Sequence, residues 1–286
     1  MVKGTEDKIF NAVVYTVLVL VGVAVLFPLL FVLSVSLTPM AEVLKNGGYI
    51  VIPKNITFAA YEELLGDRAI PRAFLVTVFV TVVGTAVNMV LTLLMAYPLS
   101  RKLLPGRSFF LFVILITMLF NGGIIPLYLT VKATGLLNTV WAMIIPGAIG
   151  TFNILIMKSF FENIPEELFE SVRMDGAREM RILLQLVMPL SVPVMLTIGL
   201  FYSVGHWNAF FSAIMFITNP DLHPIQVIVR NILAEPSASM DFTDVPVPTE
   251  AMQMAAIVVA CVPIIAVYPF IQKHFTKGML IGSIKG

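Results

Sequence analysis

Charge is scarce in this chain. Of its 286 residues only 12% are Asp, Glu, Lys or Arg, against about 25% in a typical soluble domain. Hydrophobic residues make up 58%, and the mean hydropathy is +0.95. A water-soluble fold of this length cannot hide so much apolar side chain, because much of its surface must face water. An ordinary cytosolic enzyme, a disordered chain and a nucleic-acid binder are thereby excluded. The net charge is +1, so no bulk attraction to an acidic partner is implied. Cysteine is almost missing: the single Cys261 rules out an internal disulfide framework and a cysteine-based metal cluster. The three histidines, His206, His223 and His274, fall in three different segments, which argues against a histidine metal site. No G-x-x-x-x-G-K-[ST] loop occurs, so the chain does not itself cradle ATP phosphates. H-E-x-x-H and G-x-S-x-G are also missing. Neither a catalytic residue, nor a metal site, nor a cofactor held by this chain is expected.

What is present is six long runs without a charge, at 9–41, 73–100, 108–131, 133–157, 182–220 and 251–272. Each reaches the roughly 20 residues that a helix needs to cross about 30 Å of hydrocarbon. Lipid offers backbone groups no partners, so helices are favoured. A barrel would show segments of about 10 alternating residues, and these runs are longer and apolar on every side. The sequence therefore predicts an all-α integral membrane protein with six transmembrane helices, near 11–37, 72–99, 108–129, 137–160, 190–217 and 250–271, in one domain covering 1–286. The first run is too long for a cleaved signal peptide and reads as a retained anchor. An even number of spans puts both termini on one side. Lys45, Lys54, Arg68, Arg72, Lys132 and Arg230 fall on one side, and the other twelve of the 18 Lys and Arg on the other. Positive residues favour the cytoplasm, so both termini are expected there, in a cell (inner) membrane. No Asp, Glu, Lys or Arg lies deep inside a span, which disfavours a proton-coupled carrier.

The segment between the fourth and fifth spans, 165–188, is the most informative. Pro165 suits the first turn of a helix, and Glu166, Glu167 and Glu170 sit near the positive end of its dipole. Leu168 and Val172, with Phe169 beside them, make an apolar stripe. Gly176 can take the left-handed conformation that ends a helix. A second short amphipathic helix follows, and Pro189 starts the next span. The expected result is a helix–turn–helix on the cytoplasmic surface; a solvated loop joining two spans is the plain alternative.

Glu170, Gly176 six residues on, and then Leu186-Val-Met-Pro189 resemble the EAA motif of binding-protein-dependent ABC importer permeases. Ser171 and Val172 stand where the motif has two alanines, and Leu186 and Met188 replace its Ile and Leu. Asp175-Gly176-Ala177, Asn121-Gly-Gly-Ile-Ile-Pro126-Leu-Tyr128, Gly135-Leu-Leu-Asn-Thr139, Trp207-Asn208, Tyr268-Pro-Phe-Ile-Gln272 and the tail Gly278-Met-Leu-Ile-Gly-Ser-Ile-Lys-Gly286 extend the likeness over nearly the whole chain. The subgroup it is most similar to takes up oligosaccharides or modified sugars. The resemblance implies a MetI-like permease fold with a cytoplasmic coupling helix, and a non-enzymatic subunit forming half of a translocation pathway. It implies as partners a homologous second permease, two ATPase subunits that bind ATP and Mg, and an extracytoplasmic solute-binding protein. By the same resemblance, Glu167, Glu170, Arg173, Asp175, Gly176, Ala177 and Pro189 couple the chain to an ATPase. Lys277, Gly278 and Gly282 of the cytoplasmic tail 273–286 contact the ATPase dimer.

Polar residues inside spans are the candidate pathway groups: Asn88, Asn121, Asn153, Tyr202, His206, Trp207, Asn208 and Gln253. Amides, hydroxyls and aromatic faces are the types that bind sugars. Each also has a structural reading, since Asn and Gln join helices by hydrogen bonds and Trp207 can pack or anchor at an interface. Tyr202 and His206 share a helical face. Pro28, Pro126, Pro146, Pro193 and Pro263 are expected to kink or break helices. Two other readings compete. A self-sufficient secondary carrier or channel would need inverted repeats or a midplane charge. An intramembrane enzyme would have only Ser203 and His206 to work with.

Overall fold

The structure, a computed structural model, describes residues 5–66, 68–234 and 250–283, with side chains from 7 up to 267. Among the described residues it is all-helical. In chain order the helices are α1 (Thr5–Ser36), α2 (Met40–Lys45), α3 (Ala59–Gly66), α4 (Ala69–Ser100), α5 (Arg107–Leu119), α6 (Ile124–Ala133), α7 (Trp141–Ile144), α8 (Thr151–Glu162), α9 (Glu166–Met174) and α10 (Glu179–Ile182). A π-helical turn over Leu183–Val187 leads to α11 (Met188–Leu190), α12 (Val192–Trp207) and α13 (Phe211–Phe216). After a 3₁₀ turn at Pro220–Leu222 come α14 (Ile225–Ala234) and α15 (Glu250–Ser283).

Three of these are long and apolar enough to cross a membrane by themselves: α1, α4 and α15 over Glu250–Val267. Two bent pairs, α5 with α6 and the α10–α11 stretch with α12, raise the number to five if each counts as one span. The single helix expected over 108–129 is thus bent by 116°. Asn121-Gly122-Gly123 interrupts it, and Gly123 at φ 89° opens the second half. The helix expected over 137–160 is likewise split, into four-residue α7 and twelve-residue α8 around Pro146 and Gly147. Apolar content alone cannot register such breaks, because glycine and proline act on the backbone and not on hydropathy. Pro126 and Pro193 fall in the first turns of α6 and α12, where a missing N–H costs nothing. Pro28 lies within an unbroken α1.

The chain divides into two compact units. The first holds the described residues up to Ile70 with Val229–Val262. In it α1 is apolar and exposed along nearly its whole length, as expected of a helix surrounded by lipid. Residues 38–66 fold back on its C-terminal end. Leu37 C=O accepts from Thr57 N–H at 2.9 Å, Ser36 and Tyr61 share a hydroxyl bond of 2.7 Å, and Val35, Val43 and Ile50 form a small core.

The second unit, Pro71–Ile228 with Pro263 onward, carries two cores. One joins Leu93, Ala96 and Tyr97 of α4 to Ile154, Met157 and Phe161 of α8, Phe169 of α9, Ile182, and Ile198 and Tyr202 of α12. The other joins Val80, Val131, α7, Ala213, Phe216 and Val227. Asn138, in the left-handed region at φ 60°, fastens this second core. Its N–H donates to Phe216 C=O at 2.8 Å, and its Oδ1 accepts from the N–H groups of Thr218 (3.1 Å) and Asn219 (2.8 Å). Few side chains but Asn tolerate that backbone.

Candidate functional site

Within the second unit, the middle of α4, between Arg72 and Tyr97, is apolar except for one stripe: Thr77, Thr81, Thr85, Asn88 and Thr92. Spacings of four, four, three and four residues put all five on one helical face. That face meets α12. Thr92 and Tyr202 share a hydroxyl bond of 2.7 Å, and Gly150 N–H donates to the same Tyr202 oxygen at 3.3 Å. Further along, the His206 ring lies flush on Gly84, where a Cβ would fall 2.6–2.8 Å from the imidazole. Only glycine allows the two helices to come this close.

A cavity of about 430 Å³ opens beside this seam. Asn88, Tyr202, His206, Asn208 and Ser212 supply its polar lining, and Phe201, Phe210, Phe211 and Phe216 supply aromatic surface. Asn88 is 2% exposed and His206 8%. Asn88 Oδ1 is buried without a hydrogen-bond partner, as are Thr81 Oγ1 and Thr85 Oγ1 elsewhere on the same stripe. Unmet hydrogen-bonding capacity of this kind suits a polyhydroxylated solute, and aromatic faces suit the C–H side of a sugar ring.

The structure brings together Asn88, Tyr202, His206 and Asn208 among the expected pathway residues, and places Asn153 beside Tyr202, next to Gly150. Asn121 and Trp207 lie elsewhere. Asn121 Oδ1 accepts from Gly123 N–H at 2.8 Å, stabilising the α5–α6 bend. Trp207 packs edge-on against Phe74, ring centroids 5.8 Å apart, on a largely apolar face. Gln253 belongs to the first unit and donates to Ile232 C=O at 3.2 Å.

The 165–188 segment forms the hairpin α9–α10, with Pro165 capping α9 rather than occupying its first turn. Gly176 at φ 78° closes α9. Its N–H donates to Arg173 C=O at 2.9 Å, and Ala177 N–H reaches back to Val172 C=O at 3.2 Å. This is the six-to-one, five-to-two closure in which a left-handed glycine ends a helix. The apolar stripe divides between two faces. Phe169 is fully buried in the chain's own core and Val172 packs against it, whereas Leu168 and Met174 are exposed. Glu167, Glu170 and Asp175 are exposed, as is Pro189, the second residue of α11.

Arg173 turns inward and pairs with Glu179 at 3.2 Å and Glu166 at 3.4 Å. The Tyr97 hydroxyl donates to Glu179 Oε2 at 2.5 Å. That bond, and the Arg173 charge working against partial burial, hold the Glu179 carboxyl below its ordinary range. Arg101 follows α4 directly. Its guanidinium lies 3.7 Å from the Phe169 ring centroid, donates to Phe161 C=O at 3.3 Å and pairs with Glu166 at 3.4 Å. Nothing local in the sequence marks Tyr97, Arg101 and Glu179, because their partners across the fold lie 60–82 positions away. The Thr/Asn stripe of α4, by contrast, is legible as a polar row at helical spacing. Lys277, Gly278 and Gly282 lie outside the residues whose side chains are described.

The description "Binding-protein-dependent transport system inner membrane component" covers the family whose model matches residues 89–281. The chain is 42% identical over 286 residues (98% of this chain, 100% of the relative) to the polygalacturonan/rhamnogalacturonan transport system permease protein YtcP of Bacillus subtilis (strain 168). It is 44% identical over 271 residues (93% and 91%) to Protein LplC of the same organism. Among solved structures, a chain of a bacterial ABC transporter involved in the import of the acidic polysaccharide alginate superposes with a TM-score of 0.88. The identity there is 31%, over 95% of this chain and 98% of that one. The chain therefore belongs to the binding-protein-dependent transport system inner membrane component family, MetI-like in fold. Its members are membrane permease subunits of ABC importers and not enzymes.

Proposed function

We propose that this chain is one of two permease subunits of an ATP-driven importer for an oligosaccharide. An extracytoplasmic binding protein delivers the solute, and two partner ATPase subunits bind ATP and Mg and supply the energy. Both termini and the α9–α10 hairpin face the cytoplasm, and the cavity beside α4 and α12 forms part of this subunit's share of the pathway. The observation that carries the reading is the two-faced hairpin. One side is fixed to the chain through Phe169, Arg173 and Glu179, while the other leaves Glu170 and Leu168 outward and Met174 88% exposed. A short helix rigidly held on one side, with an apolar tip on a charged surface, suits a protein partner. The sugar names of the relatives support the solute class.

A complex purified from its own host through a tag on this chain should contain a second permease and an ATPase. In proteoliposomes supplied with the binding protein, oligosaccharide uptake should require enclosed ATP. Ion-driven or passive uptake by this chain alone would replace the proposal with a secondary carrier or channel.

A further inference from the structure

If the hairpin receives motion from an ATPase, something must carry it across the membrane. The direct covalent route is through α10 to α12. That route holds a π-helical turn at Leu183–Val187 and an 86° bend ahead of Val192. Both are places where a helix yields, and Pro189, expected to start the next span, lies before the bend, in α11. α4 is different. It is one continuous helix of 32 residues, about 48 Å long at 1.5 Å per residue. Its two prolines lie at its ends, Pro71 in the first turn and Pro98 in the last.

Both ends of α4 are fastened to other elements of the same unit. At one end Tyr97 bonds Glu179, and Arg101, directly beyond the helix, is stacked on Phe169 and paired with Glu166. These contacts reach both helices of the hairpin. At the other end Arg72 pairs with Asp221 at 2.5 Å, and Thr77 Oγ1 accepts from Ile225 N–H at 2.8 Å. Asp221 lies within the 3₁₀ turn that follows Phe216 and Ile217, and Ile225 begins α14 just after it. Asn138 binds the same stretch, and Phe216 forms part of the cavity wall. A displacement of the hairpin along α4 would therefore reach the cavity wall without passing through the bent α10–α12 route.

We propose that α4 is the rod that transmits hairpin motion to the outer turn at 218–225, with Tyr97, Arg101 and Arg72 as positioning residues at its two ends. The proposal rests on the importer reading. Rigid elements with fastened ends carry such shifts when the surrounding packing has two arrangements. The outer pair is exposed on both sides (56% and 54%), so breaking it has little effect on folding and reports on transmission.

The test uses the complex purified from its host through a tag on this chain, carrying Cys261→Ser and Thr218→Cys. The readout is the rate at which a membrane-impermeant maleimide labels position 218, with and without ATP. In this parent, ATP should change the rate at least threefold. Tyr97→Phe with Arg101→Lys should reduce the response below 1.5-fold, while ATP hydrolysis stays within twofold of the parent. Arg72→Asp should do the same, and adding Asp221→Arg should restore the response. An ATP response that survives both sets, or one that the charge swap fails to restore, overturns the rod. So does a parent that hydrolyses ATP without any change at 218, an outcome that leaves the importer reading intact. Failure to copurify any ATPase overturns the importer reading, and the rod with it.

Discussion

Asn88 shows how a buried polar side chain in a membrane helix can be assigned. A residue that joins helices should have its amide satisfied by a neighbour, yet Asn88 Oδ1 is 2% exposed as a residue and has no partner. An unmet buried acceptor costs roughly 1–3 kcal/mol. Replacing it with an apolar side chain of similar size should therefore leave stability unchanged or improve it. We expect Asn88→Leu to match or exceed the parent in thermal stability in detergent while ATP-driven oligosaccharide uptake falls at least tenfold. A clear loss of stability would return Asn88 to a joining role. Tyr202 differs, since Thr92 and Gly150 already occupy its hydroxyl and only its ring is left for a solute. At this scale the sequence spoke through residue type: Tyr202, His206 and Asn208 are polar residues in an apolar run, and they do meet in one cavity. Asn121 and Trp207 carry the same signal and lie elsewhere. What separates them is which way a helix bends or faces, and that is decided by packing partners distant in sequence.

At the scale of elements, the hairpin illustrates where local sequence is enough. Proline ahead of a helix, acidic residues in its first turn and glycine after its last fix α9 at both ends, whatever surrounds it. Glycine at 176 has open space around its missing side chain, so the constraint on it is the backbone at φ 78° and nothing else. That separates conformation from bulk. A Cβ there costs roughly 1–2 kcal/mol, more for a β-branched residue, whereas Asn tolerates the left-handed region. Gly176→Val should leave the protein inserted but break ATPase association or uncouple hydrolysis from uptake, and Gly176→Asn should stay near parental in both. Equal loss in the two variants would point to a contact surface at 176 in place of a turn. The helix breaks at 120–123 and 145–150 were only half legible. Gly122, Gly123, Pro146 and Gly147 mark them, but the same residue types sit harmlessly elsewhere, as Pro28 and Gly22 do inside α1.

For the whole molecule, the length of α4 converts a count of charges into a test of orientation. A continuous 32-residue helix of this hydropathy is long and apolar enough to cross the bilayer, which would put its two ends on opposite sides. Arg101, Arg107, Arg173, Arg178 and Arg181 gather around one end, while Arg72 and Asp221 mark the other. The excess of positive charge on one side is what retains a segment in the cytoplasm during insertion. The hairpin should therefore be inside and the turn at 218–222 outside. Leu103 is 89% exposed just past Arg101, and Thr218 is exposed beside the outer turn. In intact cells lacking Cys261, Thr218→Cys should react with a membrane-impermeant maleimide, and Leu103→Cys should react only after the membrane is permeabilised. The opposite pattern would invert the molecule. The α9–α10 hairpin would then be beyond the reach of a cytoplasmic ATPase, and the proposed coupling could not operate.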